Sequence, residues 1–288
     1  MDRTKPSAIL LIHCPDQKGI IAKVTEFLSR HKGNIIDLDE HVDEREKIFF
    51  MRVEWELDGF AIAREEINDR FNEEIGAHYQ MVWKLHFTGQ KPGVALMVSK
   101  YPHCLYDILS RYQSGEWEIE IPLIISNHND LSDIAARFDI PFYHLPINKD
   151  NKLAQEQQQI ALLKKHDVDL IILARYMQIL SGGFIKEYPN KIINIHHSFL
   201  PAFPGAKPYH SAYQRGVKII GASSHYVTTE LDEGPLIEQD VVRVSHKDSI
   251  QSLMRKGRDL EKIVLSRAIW HHLQHNVLVF KNRTVIFE

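Results

Sequence analysis

The spacing of hydrophobic and polar positions changes near residue 90. Ahead of that point, Ala8-Ile-Leu-Leu-Ile-His13 is an apolar run that predicts a strand, ended by Cys14-Pro-Asp-Gln-Lys-Gly19. Ile20, Ile21, Val24, Phe27 and Leu28 then recur at helical spacing until Gly33 stops them. Extended segments over 34–42 and 47–57 follow, joined by the charged turn Asp43-Glu-Arg-Glu46. A helix over about 61–75 and a strand over about 78–87 complete the order βαββαβ. That order in so short a span predicts a ferredoxin-like sandwich, with two helices on one face of a sheet. Thr88-Gly-Gln-Lys-Pro92 is polar, carries Gly and Pro, and reads as a linker. The predicted division is therefore a small domain over 1–87, a linker over 88–92 and a larger domain over 93–288.

Beyond residue 92, continuous Val, Ile and Leu runs alternate with helical patterns. Strands are predicted at 93–98, 119–125, 141–146, 168–174 and 192–195, with helices at about 103–112, 130–138, 151–166 and 182–188 between them. Strands apolar on both faces belong in a parallel sheet covered on both sides, so the fold class is α/β with an open, mostly parallel sheet. Longer strands at 218–227 and 236–244, a helical stretch at 248–275 and a hairpin turning at Lys281-Asn282 close the chain. Open α/β sheets bind ligands at the carboxyl ends of their strands, where Asn194 and His196 fall. Neither a dinucleotide nor a P-loop glycine pattern follows any of these strands.

Composition narrows the classes. The 288 residues are 44% hydrophobic, enough for one large core or for one medium and one small core. A net charge of -3 leaves no basic excess, so no nucleic-acid partner is expected. Cys14 and Cys104 have neither disulfide nor metal-site spacing. The start lacks an apolar signal region, and no run approaches the roughly 18 apolar residues of a membrane span. A soluble cytoplasmic protein without a membrane partner is expected.

Candidate chemistry concentrates in Asn194-Ile-His-His-Ser-Phe-Leu-Pro201, Ser224-His-Tyr-Val227 and Leu231-Asp-Glu-Gly234. An amide, an imidazole and a carboxylate provide an oxyanion donor, a proton carrier and a base, the functions acyl-group chemistry needs. Taken singly, each residue has an ordinary reading: Asn194 tying down a loop, His196 packed in a core, Asp232 closing a turn. His196, His197, His210, His225 and Asp232 also raise the possibility of a metal site. Adjacent strand residues point to opposite sides, however, which keeps His196 and His197 from sharing one ion, and no metal is expected.

Taken together, these residues closely resemble the folate-dependent formyltransferase family: Asn, His two positions on, Ser-x-Leu-Pro behind them, His225 on a later strand and Asp seven positions after it. The resemblance implies catalytic Asn194, His196 and Asp232, a folate formyl donor as substrate, and no cofactor. Arg175-Tyr-Met-Gln-Ile-Leu-Ser181 resembles the family segment that reads the pterin ring, which implies Tyr176, Met177, Gln178, Ile179 and Leu180 as folate contacts. Thr228 and Glu230 would border the ring through their backbone. Read from residues alone, Met177, Ile179 and Leu180 are core.

In the small domain, Asp16-Gln-Lys-Gly19 resembles the ligand turn of ACT domains. Asp16 and Gly19 would then lie beside an amino-acid effector, although the residues alone also fit a tight turn with Asp16 as a helix cap. An ACT-like sheet edge implies a homo-oligomer. The acceptor of the formyl group follows from differences within the family. Ribonucleotide transformylases are expected to carry a Gly-Ser-Asn type phosphate turn, whereas Ser99-Lys-Tyr-Pro-His-Cys-Leu105 has no glycine and loses a donor at Pro102. The tRNA-directed branch implies a basic C-terminal extension, and here a hairpin is expected instead. An ACT-like unit together with Phe203-Pro-Gly-Ala-Lys-Pro-Tyr-His210 resembles the deformylase branch. Water would be the acceptor, and the released formate would feed purine synthesis and balance one-carbon folate pools. The alternative, formyl transfer to a non-ribonucleotide amine, predicts an acceptor pocket near Lys207 and Tyr209.

Overall fold

The computed structural model describes residues 5–201 and 208–288. One compact unit gathers the chain up to Gln90 with Leu273–Phe280 and Val285–Glu288, and the other gathers Lys91–His272 with Lys281–Thr284. The hydrophobic pattern assigns everything after residue 92 to the second domain, whereas the C-terminal hairpin is divided between the two units.

In the first unit, β1 (Ser7–Pro15), α1 (Ile20–Arg30), β2 (Ile35–Asp43), β3 (Ile48–Glu56), α2 (Ile67–Phe71) and β4 (Val82–Phe87) follow the expected order. The antiparallel sheet runs β2-β3-β1-β4. Alternate residues Ala8, Leu10 and Ile12 meet Ile20, Val24, Phe27 and Leu28 of α1 in one apolar cluster. Burying each such side chain contributes about 1.5–3 kcal/mol. The opposite sheet face is apolar too: Leu11 and Phe50 are buried with Leu278 and Phe287, which is why the C-terminal strands pack with this unit. The helix predicted over 61–75 is instead broken into 3-10 (Arg64–Glu66), α and π (Asn72–Gly76) turns. Gly76 lies against the Trp83 ring, where a Cβ would come within 2.7 Å.

In the second unit, β5 (Val94–Val98), β6 (Ile124–Ser126), β7 (Phe142–His144), β8 (Leu170–Ala174) and β9 (Ile192–His196) are parallel. β10 (Ile219–Tyr226) and β11 (Leu236–Arg243) extend the sheet antiparallel, giving the order β11-β10-β9-β8-β5-β6-β7. The direction of strand addition reverses beside β5, which makes the carboxyl ends of β5 and β8 the ligand crevice expected of an open sheet. The strand predicted at 119–125 shrinks to Ile124–Ser126 with an isolated bridge at Glu120, because Pro122 removes a ladder donor. The helices are α3 (His103–Gln113), α4 (Ser132–Arg137), α5 (Lys152–Lys165), α6 (Gly182–Glu187), α7 (Pro208–Arg215) and α8 (Ile250–Leu273). β12 (Val277–Phe280) and β13 (Arg283–Ile286) form the hairpin, turning at the two residues predicted. Among the described residues no helix is long and apolar enough to cross a membrane.

Candidate active site

β9 is anchored by buried Ile192, Ile193 and Ile195, which leaves Asn194 and His196 as its polar positions. Antiparallel pairing sets Asn194 opposite His225 and His196 opposite Ser223. Asn194 Nδ2 lies 3.2 Å from His225 Nε2. The other His225 nitrogen, Nδ1, is 2.9 Å from the Tyr226 carbonyl. A carbonyl only accepts, so Nδ1 carries a proton, and Nε2 accepts from the Asn194 amide. The Asn194 amide is thereby oriented, and its second N–H has no partner among the described residues.

Asp232 completes the group. Its Oδ2 is 3.2 Å from His196 Nδ1, and its Oδ1 is 3.7 Å from His225 Nε2. The hydrogen bond from His196 holds the Asp232 carboxyl well below the usual carboxylate range. Asp232 adopts a left-handed φ of 57°, a strained state for a non-glycine residue. Two positions on, a Cβ at Gly234 would fall 1.7 Å from the Tyr226 carbonyl oxygen. Glycine is therefore what lets this loop press against the end of β10 and deliver the carboxylate, which gives the Asp-x-Gly spacing a physical cause. His196 is buried, and its Nε2 has no hydrogen-bond partner among the described residues.

The loop leaving β9 is tied down from β10 and β11. Ser223 Oγ donates to the Ser198 carbonyl at 2.9 Å and accepts from the Leu200 amide at 3.0 Å. Gln239 Nε2 donates to the Leu200 carbonyl at 3.1 Å, and Ser224 Oγ to the Asn194 carbonyl at 2.9 Å. These positioning residues were missed in the sequence reading, as was the orienting role of His225. The available signal was two hydroxyls inside an apolar strand, which must find partners when buried.

The expected pterin segment divides. Tyr176 and Leu180 belong to the core, and Tyr176 accepts from Gln159 Nε2 at 3.0 Å with its hydroxyl pushed up to about 12 by burial. Met177 and Ile179 are exposed by 48% and 58%, with Gln178 half-buried between them. The Met177 amide donates to Ser99 Oγ at 3.0 Å, which fixes the segment to the end of β5. Thr228 Oγ1 donates to the Glu230 carbonyl at 3.2 Å, forming a local turn. The two segments adjoin, since a Cβ on Gly182 would lie 3.4 Å from the Thr229 methyl.

In the first unit, Gly19 caps α1 with φ 92° and open space around its missing Cβ. No side chain caps that helix, so Asp16 does not; its amide donates to the Lys47 carbonyl at 2.9 Å. Lys207, and Phe203 to Ala206 before it, lie outside the described residues. The strand rule for His196 and His197 needs correction. β9 ends at His196, so the alternation stops there, and the two rings sit 5.2 Å apart. Among the described residues, His103, Cys104 and Glu261 bring metal-type ligand atoms within 4.8 Å of one another. Glu261 already serves His103 and Tyr209, and the Arg175 guanidinium 3.4 Å away opposes a further cation.

The chain matches the formyl transferase family over residues 93–269 and the ACT domain over residues 8–74. A formyltetrahydrofolate deformylase of Synechocystis sp. is 57% identical, covering 98% of both chains. One of Bacillus subtilis is 44% identical, covering 99% of this chain and 95% of that one. The crystal structure of a formyltetrahydrofolate deformylase from Pseudomonas syringae pv. tomato superposes with a TM-score of 0.96 at 46% identity, covering 100% of this chain and 96% of that one.

Proposed function

We propose a division of labour among Asn194, His196 and Asp232 for a chain that belongs to the formyltetrahydrofolate deformylases, and so to the hydrolases that split 10-formyltetrahydrofolate into formate and tetrahydrofolate. Water attacks the formyl carbon, and the tetrahedral oxyanion is received by the second N–H of Asn194 and by His196. The C–N10 bond then breaks with a proton delivered to N10. Because its carboxyl is held below the usual range, Asp232 is a poor resting place for that proton. It instead fixes the His196 tautomer and supports an imidazolium, so the proton taken from water rests on His196 Nε2 before reaching N10. The observation that carries this reading is the His196 Nδ1 to Asp232 contact at 3.2 Å, with His196 Nε2 left without a partner among the described residues.

The folate ring is placed against 176–180 and 228–230, where exposed Met177 and Ile179 offer apolar surface next to backbone amides. No step of this scheme calls for a cofactor or metal. The ACT unit takes an amino-acid effector at the Asp16 to Gly19 turn, and the assembled protein is a homo-oligomer, as parts of the same reading. The test is formate release from 10-formyltetrahydrofolate by chelator-treated protein with no amine present. Stoichiometric formate and tetrahydrofolate are expected; absence of both, with amino acids present or absent, would sink the scheme.

A further inference from the structure

We propose that Arg175 is a built-in occupant of the amine-acceptor place: paired with buried Glu261, it fills the crevice beside His196 and confines the second substrate to water. The inference rests on the hydrolytic reading above and asks what enforces it.

Arg175 directly follows β8, and His103 opens α3 five residues after β5 ends, so both stand at the crevice where strand order reverses. Glu261 reaches them from α8 and is 1% exposed. Its Oε1 accepts from the Tyr209 hydroxyl at 2.6 Å, and its Oε2 lies 2.8 Å from His103 Nε2 and 3.4 Å from Arg175 Nε. Gly257, one turn earlier on α8, clears the way, since a Cβ there would sit 2.0 Å from the Tyr209 hydroxyl. The Tyr101 ring covers the guanidinium at 5.5 Å. The cluster adjoins the reacting groups through His197, whose ring is 5.2 Å from that of His196 and 6.1 Å from that of Tyr209.

Two features set this cluster apart from a stability device. A buried ion pair is weak evidence for stability, because apolar side chains of equal volume usually serve as well. This pair is also imperfect. Arg175 Nε and His103 Nδ1 are buried with no hydrogen-bond partner among the described residues, and Arg175 holds a strained φ of 64°. A carboxylate in a dry crevice is the group that would receive the N–H of an amine. Here that carboxylate is engaged by an arginine of the chain itself.

Cutting the arginine back should admit an amine. The amine nitrogen would attack the formyl carbon, the C–N10 bond would break, and the proton shed by the amine would pass to N10. The products would be an N-formyl amine and tetrahydrofolate, with no oxidant or reductant involved. Arg175→Gly suits the left-handed backbone and opens the most space. In the full chain, with 10-formyltetrahydrofolate and hydroxylamine, the ratio of N-formyl product to formate is expected to rise about 10- to 200-fold over the parent protein, the range that a changed fit provides. Formate release without amine should stay within about tenfold of the parent. Arg175→Met, which refills the volume without charge, should keep the parent ratio, and added guanidinium should suppress transfer in Arg175→Gly. If Arg175→Gly fails to fold, Arg175→Asn, which also tolerates the left-handed backbone and keeps the Glu261 carboxylate in place, carries the same test. A hydrolysing variant whose product ratio matches the parent overturns the inference. A parent protein that releases no formate at all overturns the hydrolytic reading instead, so the two failures are distinguishable.

Discussion

Two buried carboxylates, Glu54 in the first unit and Glu261 in the second, each face an arginine, and their surroundings differ in one respect. Glu54 accepts from Arg52 Nη2 at 2.9 Å and from Ser7 Oγ at 2.7 Å. Arg52 goes on to pair with Asp37 and to reach the Gln274 and His275 carbonyls at 3.3 Å, so all three of its guanidinium nitrogens donate. Around Glu261, by contrast, Arg175 Nε and His103 Nδ1 go without partners among the described residues. A closed network fixes a fold; an open one beside the imidazole proposed to carry the proton is placed to act on what enters. Each unit should therefore fail differently when cut: the first in stability, the second in chemistry.

The largest effect is expected at the second unit's proposed active site. Asp232→Asn keeps the shape but deprives His196 Nδ1 of its charged acceptor at 3.2 Å. Turnover should fall about 10⁴-fold, roughly 5.5 kcal/mol of barrier, as when a tautomer-setting carboxylate is lost. Folate binding and the thermal midpoint should scarcely move. Steady-state kinetics beside a melting curve check this, and near-parental turnover would remove Asp232 from the mechanism. Next in size, Glu54→Gln leaves the buried Arg52 short of one charge. About 3–5 kcal/mol of stability should go, while turnover by the folded fraction stays unchanged. Denaturant unfolding measures the first, and a large kinetic defect in folded protein would erase the contrast between the units.

The same contrast governs what the sequence could disclose. β1, α1 and the run of parallel strands were legible because apolar periodicity is a local property. Asn194, His196 and Asp232 were legible because family spacing ties them together, and the structure brings them to one point. The Glu261 network was not legible. His103, Arg175, Tyr209 and Glu261 are spread over some 160 positions, and each alone looks like an ordinary surface or core residue. Nor could a pattern reveal that the apolar outer face of β1 and β3 would take Leu278 and Phe287 as its cover. Burial on a second sheet face depends on which distant segment arrives, and periodicity carries no such address.

A smaller effect should appear on acidification, at the boundary between the open network and the catalytic group. Burial, and then the charge of Arg175, lower the His197 pKa from 6.5 to about 4. The unfolded chain therefore binds a proton there over that interval and the folded chain does not, so stability falls as pH drops from 6.5 towards about 4 and the contribution is flat above and below. About 1–3 kcal/mol should be lost across the interval. His197→Asn should remove this part of the slope; unfolding curves for both proteins at a series of pH values decide, and an unchanged slope would assign the acid lability elsewhere.

The smallest effect is expected back in the first unit, at Gly19. Its φ of 92° lies where side chains are disfavoured, yet nothing stands within 4 Å of the position a Cβ would take. Gly19→Ala should therefore suffer backbone strain alone, about 1 kcal/mol, without a clash. Formate release in the absence of amino acids should match the parent, because the substitution touches no group of the second unit's site. Amino-acid response is the sharper reading. If the amides at the start of α1 receive an effector's carboxylate, a methyl group at the approach should weaken that response by much more than 1 kcal/mol of strain explains. Rate measurements across amino-acid concentrations separate the two. An intact response in a protein destabilised only by strain would make Gly19 a turn residue and move the effector elsewhere on the unit.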